Sequence, residues 1–301
     1  VAGCVLVLGG LQMDQRLLLS GVFRYGALPD TTEPVLFYED GRTATVGVHL
    51  TRDRDLAVLS TNGKPDASIS LRWIRAQTEL LPPRPIAFDD EATQTLLALI
   101  PLAHAPEART VAHIGHGSGL TGHALLTSPS VEQSVTIEIE PEMIAASEVF
   151  YPANARVFDD PRSTFVIDDA KAYFAGSKDK YDLIISEPSN PWVSGTASLF
   201  TQEFYQRIRR YLAPQGLFAQ WFHCYEMNDS LVASVLGALH QAFPHYQGYQ
   251  VGPGDILVLA SGDAPILPPD WDVLQLPAVS RMLAHVPPLS PRHLESMRLF
   301  D

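Results

Sequence analysis

Apolar and polar positions divide the chain into stretches of different texture. Residues 1–11 (VAGCVLVLGGL) form an unbroken apolar run. Next come short runs rich in β-branched and aromatic residues, 34–38, 43–48 and 56–60. The first two are separated by Glu39-Asp40-Gly41, and the third ends at Asn62-Gly63. Asp-Gly and Asn-Gly beside β-rich runs predict tight antiparallel turns. From about residue 90 the pattern changes, and strand-like runs at 110–114, 134–139, 164–167, 181–186 and 216–221 alternate with helical stretches at 142–150 and 202–212. Asn228 can cap a further helix to about residue 243, with Leu231, Val232, Val235, Leu236 and Leu239 on one face. This alternation predicts a parallel sheet with helices on both sides. Two last strands, 246–251 and 256–260, flank Gly252-Pro253-Gly254-Asp255, so the sheet should end with an antiparallel strand. The remainder is Pro-rich, with one helical segment and no assigned chemistry.

These textures give four segments: 1–20, an apolar lead; 21–78, a small antiparallel β-hairpin domain; 79–262, the αβ domain; and 263–301, a Pro-rich tail. The lead is shorter than the roughly 20 apolar residues of a membrane span. No basic residues precede it, unlike a secretory signal. It is either a buried element or the end of a membrane helix lying upstream. A start at Val1 rather than methionine fits a piece of a longer chain.

Composition narrows the function. The 301 residues are 46% apolar and carry a formal charge of −13. Such an acidic balance argues against nucleic acid as a partner, because cationic contacts dominate phosphate binding. It suits a cationic one. Two cysteines, Cys4 and Cys224, exclude a disulfide scaffold and a four-cysteine zinc site. They fit a reducing compartment.

Candidate chemistry gathers at the ends of the predicted parallel strands, where open α/β sheets place their ligands. The first αβ strand runs into Ile114-Gly115-His116-Gly117-Ser118-Gly119-Leu120. Glycines there let the backbone turn sharply and approach a ligand. Glu138 ends the next strand and can accept both hydroxyls of a ribose. Asp168-Asp169 ends the third, where one carboxylate can take an adenine amine and the other can cap a helix. The fourth ends in Glu187-Pro188-Ser189-Asn190-Pro191-Trp192. Glu187 offers a base, Asn190 an amide and Trp192 an apolar wall. His113, His116 and His123 lack metal-ligand spacing, so no metal is expected. Neither a serine elbow nor a Cys-His nucleophile is indicated.

These residues together resemble the spermidine synthase-like family (polyamine aminopropyltransferases), on the Rossmann sheet shared with AdoMet methyltransferases. The resemblance covers residues 37–260. It rests on the hairpins, Asn62-Gly63-Lys64, Thr93-Gln94, the glycine loop, Glu138-Ile139-Glu140-Pro141, Asp168-Asp169-Ala170, Tyr181 to Ile185, and Leu199-Phe200-Thr201 with Phe204-Tyr205. It implies an α/β fold: a methyltransferase-like sheet with an antiparallel terminal hairpin, preceded by a small antiparallel β domain. The subgroup carrying Glu-Pro-Ser-Asn-Pro-Trp is often fused to a membrane-transporter-like half, and Ser20 to Gly26 resembles it as well. A cytoplasmic site, possible attachment to a membrane domain and a homodimer or homotetramer are implied.

The resemblance also implies roles. Gly115, Gly117, Ser118, Gly119, Glu138, Asp168 and Asp169 would bind decarboxylated S-adenosylmethionine or S-adenosylmethionine. Glu187 would be the base, Asn190 would hold the amine, and Thr93, Gln94 and Trp192 would line the acceptor side. Four positions depart from the family. Glu187 and Asn190 replace aspartates, Ser118 replaces an acid that contacts the aminopropyl amine, and Thr93 replaces a tyrosine. Glu reaches about 1.5 Å further than Asp, and a misplacement of about 1 Å can cost roughly 100-fold in rate. Three functions are expected in turn: aminopropyl transfer to a polyamine or other small cationic amine, AdoMet-dependent methylation of a small amine, and nucleoside or polyamine sensing without turnover.

Overall fold

Turn residues shape the first sheet. The computed structural model describes residues 14–26, 28, 32–51, 55–76, 90–191, 195–225, 227–284 and 289–301, so the apolar run 1–11 lies outside the described residues. Short helices α1 (Gln15–Leu19) and α2 (Val22–Tyr25) precede four antiparallel strands: β1 (Val35–Asp40), β2 (Thr45–Leu50), β3 (Leu56–Thr61) and β4 (Lys64–Ser70). Asn62 (φ 49°) and Gly63 (φ 72°) both take the left-handed conformation that a two-residue hairpin demands. The chain therefore folds back into β4, a strand absent from the hydrophobic pattern. Lys64-Pro65-Asp66 hides it, and Pro65 is tolerated because β4 is an edge strand with a register shift there.

Helix α3 (Leu71–Ala76) follows, then α4 (Asp90–His104), buried at every residue after Asp90. It packs against β4 of the small sheet and against strands of the large one. A helix enclosed on all sides shows no polar stripe, so its sequence carries little periodicity.

The large sheet comprises β5 (Thr110–Ile114), β6 (Gln133–Glu138), β7 (Ser163–Ile167), β8 (Tyr181–Ser186), β9 (Leu212–His223), β10 (His245–Gly252), β11 (Asp255–Ser261) and β12 (Arg298–Phe300). Its helices are α5 (Leu120–Leu125), α6 (Pro141–Ser147), α7 (Ala155–Asp159), α8 (Ala170–Gly176), α9 (Gln202–Ile208), α10 (Asp229–Ala242), α11 (Pro277–Leu283) and α12 (Pro291–Ser296). Strand order is β12-β10-β11-β9-β8-β5-β6-β7, with β5 to β9 parallel and the last three strands antiparallel.

Successive residues face opposite sides of the sheet. Val111, Leu183, Ala219 and Leu257 enter the core shared with α4 and the small sheet. Ala112, Ile184, Phe218 and Val258 enter the core shared with α9 and α10. Asn228 caps α10 by accepting the Leu231 N–H at 2.9 Å; Val235 and Leu239 are buried, while Leu231, Val232 and Leu236 are half-buried.

Three expectations need correction. Helix α9 stops at Ile208 and the chain enters β9 at Leu212, earlier than the apolar run suggests. The hairpin β10–β11 is present, but β12 pairs with β10 and forms the sheet edge. The Pro-rich segment supplies that strand and two helices, not one. Pro277 and Pro291 sit in the first turns of α11 and α12, where a fixed φ favours the helix.

One carboxylate joins the sheets. Glu140, buried, accepts the N–H of Thr43 at 2.7 Å, its hydroxyl at 2.8 Å and the Ala44 N–H at 3.3 Å. Burial alone would raise its pKa, but these donors hold it below the ordinary value.

Candidate active site

The carboxyl ends of β5, β6, β7 and β8 open onto a cavity of about 690 Å³, closed opposite by β4, α4 and the β10–β11 turn. Gly115 stands at its floor with φ 88°, and a Cβ there would lie 2.4 Å from the Glu187 carbonyl oxygen. The glycine loop and the Glu187 loop thus pack backbone to backbone. Gly115 and Gly117 line the cavity. Ser118 and Gly119 do not, and Ser118 is fully buried behind the wall. Its hydroxyl donates to the Gln94 side-chain oxygen and accepts the Leu120 N–H at 3.2 Å. Ser118 therefore orients Gln94, which does line the cavity and donates to the Ser68 carbonyl at 3.4 Å.

Glu138 ends β6 on the cavity wall. Its Oε2 accepts the His116 N–H at 3.0 Å and its Oε1 the Glu140 N–H at 2.9 Å. Burial raises its pKa against those two bonds. Asp168 and Asp169 both line the cavity. Asp169 caps α8 by accepting the Ala172 N–H at 3.0 Å, and Asp168 accepts the Asp169 N–H at 2.8 Å. Asp168 is the more exposed end of a strand, and Asp169 carries the structural duty.

Glu187 extends β8 by one residue, and His113 lies beside it. Strand register places His113 opposite Ile185, two residues before Glu187 and on the same face. His113 Nε2 is 3.0 Å from Glu187 Oε2, while its Nδ1 has no hydrogen-bond partner among the described residues. The Nε2–H tautomer, donating to the carboxylate, fits that arrangement. His113 is fully buried; the Glu187 side chain is 18% exposed. Asn190 is also fully buried on the wall, and neither atom of its amide has a partner among the described residues. Its backbone carbonyl accepts the Thr196 hydroxyl at 2.6 Å, while its side chain caps no turn among the described residues. Trp192 lies outside the described residues.

Several cavity residues escape the motif reading. Ser189 donates to Asp66 at 2.9 Å, and Lys64 Nζ contacts Asp66 at 2.5 Å, tying edge strand β4 to the Glu187 loop. Asp255 opens β11 and accepts the Trp221 indole N–H at 3.0 Å. Burial pushes its carboxyl up to about 7 against the hydrogen bond from Trp221. Thr93 lines the wall and donates to the Val251 carbonyl at 3.2 Å. Strand parity could have found His113. Asp255 reads as a turn residue, and nothing local marks it. Among the described residues no group of three His, Cys, Asp or Glu could hold a metal ion. His116 bonds Ser147 at 2.7 Å, and His123 accepts the Arg156 N–H at 3.3 Å.

A profile of the Spermine/spermidine synthase domain matches residues 90–252, more than half of the chain. A polyamine aminopropyltransferase of Desulforudis audaxviator is 31% identical over 161 residues, 54% of this chain and 58% of the relative. Another, of Caldicellulosiruptor saccharolyticus, is 29% identical over 202 residues, 67% of this chain and 69% of the relative. Alignment with the first thus spans little more than half of its length. The spermidine synthase of Thermotoga maritima shares the fold, with a TM-score of 0.62 and 20% identity, covering 87% of this chain and 78% of that one. A spermidine synthase solved with the transition-state analogue AdoDATO gives a TM-score of 0.64 at 19% identity, covering 87% and 79%.

Proposed function

The chain belongs to the spermine/spermidine synthase family, and from that premise we propose that it moves an aminopropyl group from decarboxylated S-adenosylmethionine to a small amine. The observation that carries this reading is Glu187, which lines the cavity together with Glu138 and is held from behind by the buried His113. Glu138, Gly115 and Gly117 form the nucleoside side, with Asp168 at the base end. Gln94 and Asn190 line the acceptor side, and the Asn190 amide, without a partner among the described residues, would hold the amine. Trp192 is kept as a wall residue on the family resemblance.

The chemistry asks little beyond alignment and proton removal. The acceptor nitrogen uses its lone pair to form a bond to the methylene carbon next to the sulfonium. The carbon–sulfur bond breaks, and its electron pair returns to sulfur, leaving neutral methylthioadenosine. The proton lost by nitrogen goes to Glu187. His113 draws Glu187 Oε2 back toward β5, which takes up the extra reach of Glu over Asp and leaves Oε1 for the amine.

Release of methylthioadenosine from decarboxylated AdoMet with an amine panel tests this. Its absence, with adenosylhomocysteine formed from AdoMet instead, would replace aminopropyl transfer by methylation. Ligand binding without either product would leave a sensor. A cytoplasmic setting, a homo-oligomeric state and attachment to a membrane segment upstream belong to the proposal through the resemblance at Ser20 to Gly26 and through the family. No helix among the described residues is long and apolar enough to cross a membrane.

A further inference from the structure

A buried ammonium stands in the cavity wall, and the transfer chemistry leaves it unused. Lys64 follows the Asn62–Gly63 turn as the first residue of β4, an edge strand. Lysines on edge strands ordinarily reach into water and keep other strands away. Lys64 turns inward instead: its side chain is 8% exposed and lines the cavity. Nζ lies 2.5 Å from Asp66 Oδ1 and donates to the Ser189 hydroxyl at 3.2 Å and the Pro65 carbonyl at 3.3 Å. It also bonds the Tyr225 hydroxyl and lies 6.0 Å from the centroid of that ring. Burial pulls its pKa down, but Asp66 and Tyr225 hold it above the ordinary value, so the group is charged.

These partners come from three parts of the chain. Asp66 shares β4, Ser189 stands two residues after Glu187, and Tyr225 follows β9. Tyr225 packs edge-on against His223 at 4.2 Å between ring centroids, and His223 Nε2 lies 3.7 Å from Asp255. The ammonium thus sits between the loop that carries Glu187 and the wall formed by the end of β9 and the start of β11. Carboxylates outnumber ammonium groups in the lining, and Lys171, its other lysine, donates to Ser198 at 2.8 Å. At Lys64 a carboxylate, two hydroxyls and a carbonyl converge on one point, a set that suits any ammonium group. The chain supplies that cation itself. A tethered group competes at an effective concentration of about millimolar or more, so a free ammonium does not readily displace it.

Resting on the aminopropyl-transfer reading, we propose that Lys64 is a specificity-determining residue: its own ammonium fills a cation position in the cavity wall, so an acceptor gains nothing from a further ammonium there. The acceptors it leaves favoured are short amines, and a triamine receives no added hold. Removing the Lys64 ammonium vacates the position and leaves Asp66 to receive one from the ligand. A lysine that only tied β4 to the Glu187 loop would instead change the binding of every amine alike.

Calorimetry of the full chain with butylamine, 1,4-diaminobutane and spermidine, each with methylthioadenosine present, reads this directly. The wild type should bind spermidine no more than about threefold more tightly than 1,4-diaminobutane. Lys64→Met should bind spermidine roughly 10- to 100-fold more tightly than the wild type does, the worth of one charge-assisted contact, with butylamine unchanged. Adding Asp66→Asn to Lys64→Met should cancel that gain, because no carboxylate remains to receive the ligand. Lys64→Arg keeps a charge there and should behave as the wild type. A wild-type preference for spermidine beyond about threefold overturns the proposal, and this comparison stands even if Lys64→Met folds poorly. So does a folded Lys64→Met with no gain, a gain shared by butylamine, a gain that survives Asp66→Asn, or no amine binding at all. Methylthioadenosine release from decarboxylated AdoMet separates the two readings. If it occurs while Lys64→Met leaves spermidine binding unchanged, Lys64 loses its role and transfer stands. If the binding pattern holds and no amine yields methylthioadenosine, transfer falls and the Lys64 position remains.

Discussion

Replacing His113 by leucine removes the donor that holds Glu187 and little else. The ring is fully buried, so leucine fills most of its space, and the lost contact is a 3.0 Å hydrogen bond to a carboxylate. Hydrogen bonds to charged groups are worth about 1.5–3 kcal/mol. If that energy holds Glu187 in its reactive position, kcat should fall roughly 10- to 150-fold, at about 1.4 kcal/mol per tenfold. Stability should change less, because Glu187 is 18% exposed and can turn to water. Steady-state methylthioadenosine release gives kcat, and a melt gives stability. The KM for the nucleoside should stay put, since Glu138 and the glycine loop are untouched. His113→Gln should recover part of the rate, as its amide nitrogen reaches about as far as Nε2. A leucine variant within twofold of the wild-type kcat, or a glutamine variant no better than leucine, would refute the positioning role.

Glu187→Gln should lower turnover by roughly 10²–10⁴-fold, the usual range for a general base, with methylthioadenosine affinity unchanged by calorimetry. Glu138→Ala should weaken that nucleoside roughly 10- to 100-fold; equal affinity would remove its ribose role. Gly115→Ala combines a backbone at φ 88° with a Cβ 2.4 Å from the Glu187 carbonyl oxygen, so a thermal melt should show a loss of at least about 1–2 kcal/mol. Glu140 has its pKa held below the ordinary 4.5 in the folded chain. Its stabilisation is therefore complete above that value and is lost as pH falls through the folded pKa. The gap in melting temperature between wild type and Glu140→Ala should narrow steadily in acid, and a gap independent of pH would contradict the clamp.

The sequence discloses the parts of this fold whose signals are local. Alternating runs mark β5, β6 and β8, and Asn62-Gly63 marks a turn, because period and turn chemistry need no partner. Helix α4 is hidden for the opposite reason: both sheets cover it, and full burial erases its period. Strand β4 is hidden because its first residues are chosen for the cavity and for an edge position. The site divides in the same way. Glu138, Asp168 and Glu187 stand at strand ends, where topology alone predicts ligand contact. Ser118 occupies a motif position but turns inward to Gln94, and that depends on a helix invisible to the pattern. His113 and Asp255 become functional candidates through strands and turns distant in sequence, so only the assembled sheet brings them to the cavity.

Glu138 and Glu140 are separated by one residue and serve different masters. Glu138 lines the cavity and also accepts the Glu140 N–H, while Glu140 grips the β1–β2 turn of the small sheet. That sheet forms the far wall of the cavity. A ligand held by Glu138 would therefore bear on the peptide that carries Glu140 and, through it, on the β1–β2 turn. Such a coupling is reciprocal, so whatever steadies the wall should tighten the grip at Glu138 by the same factor.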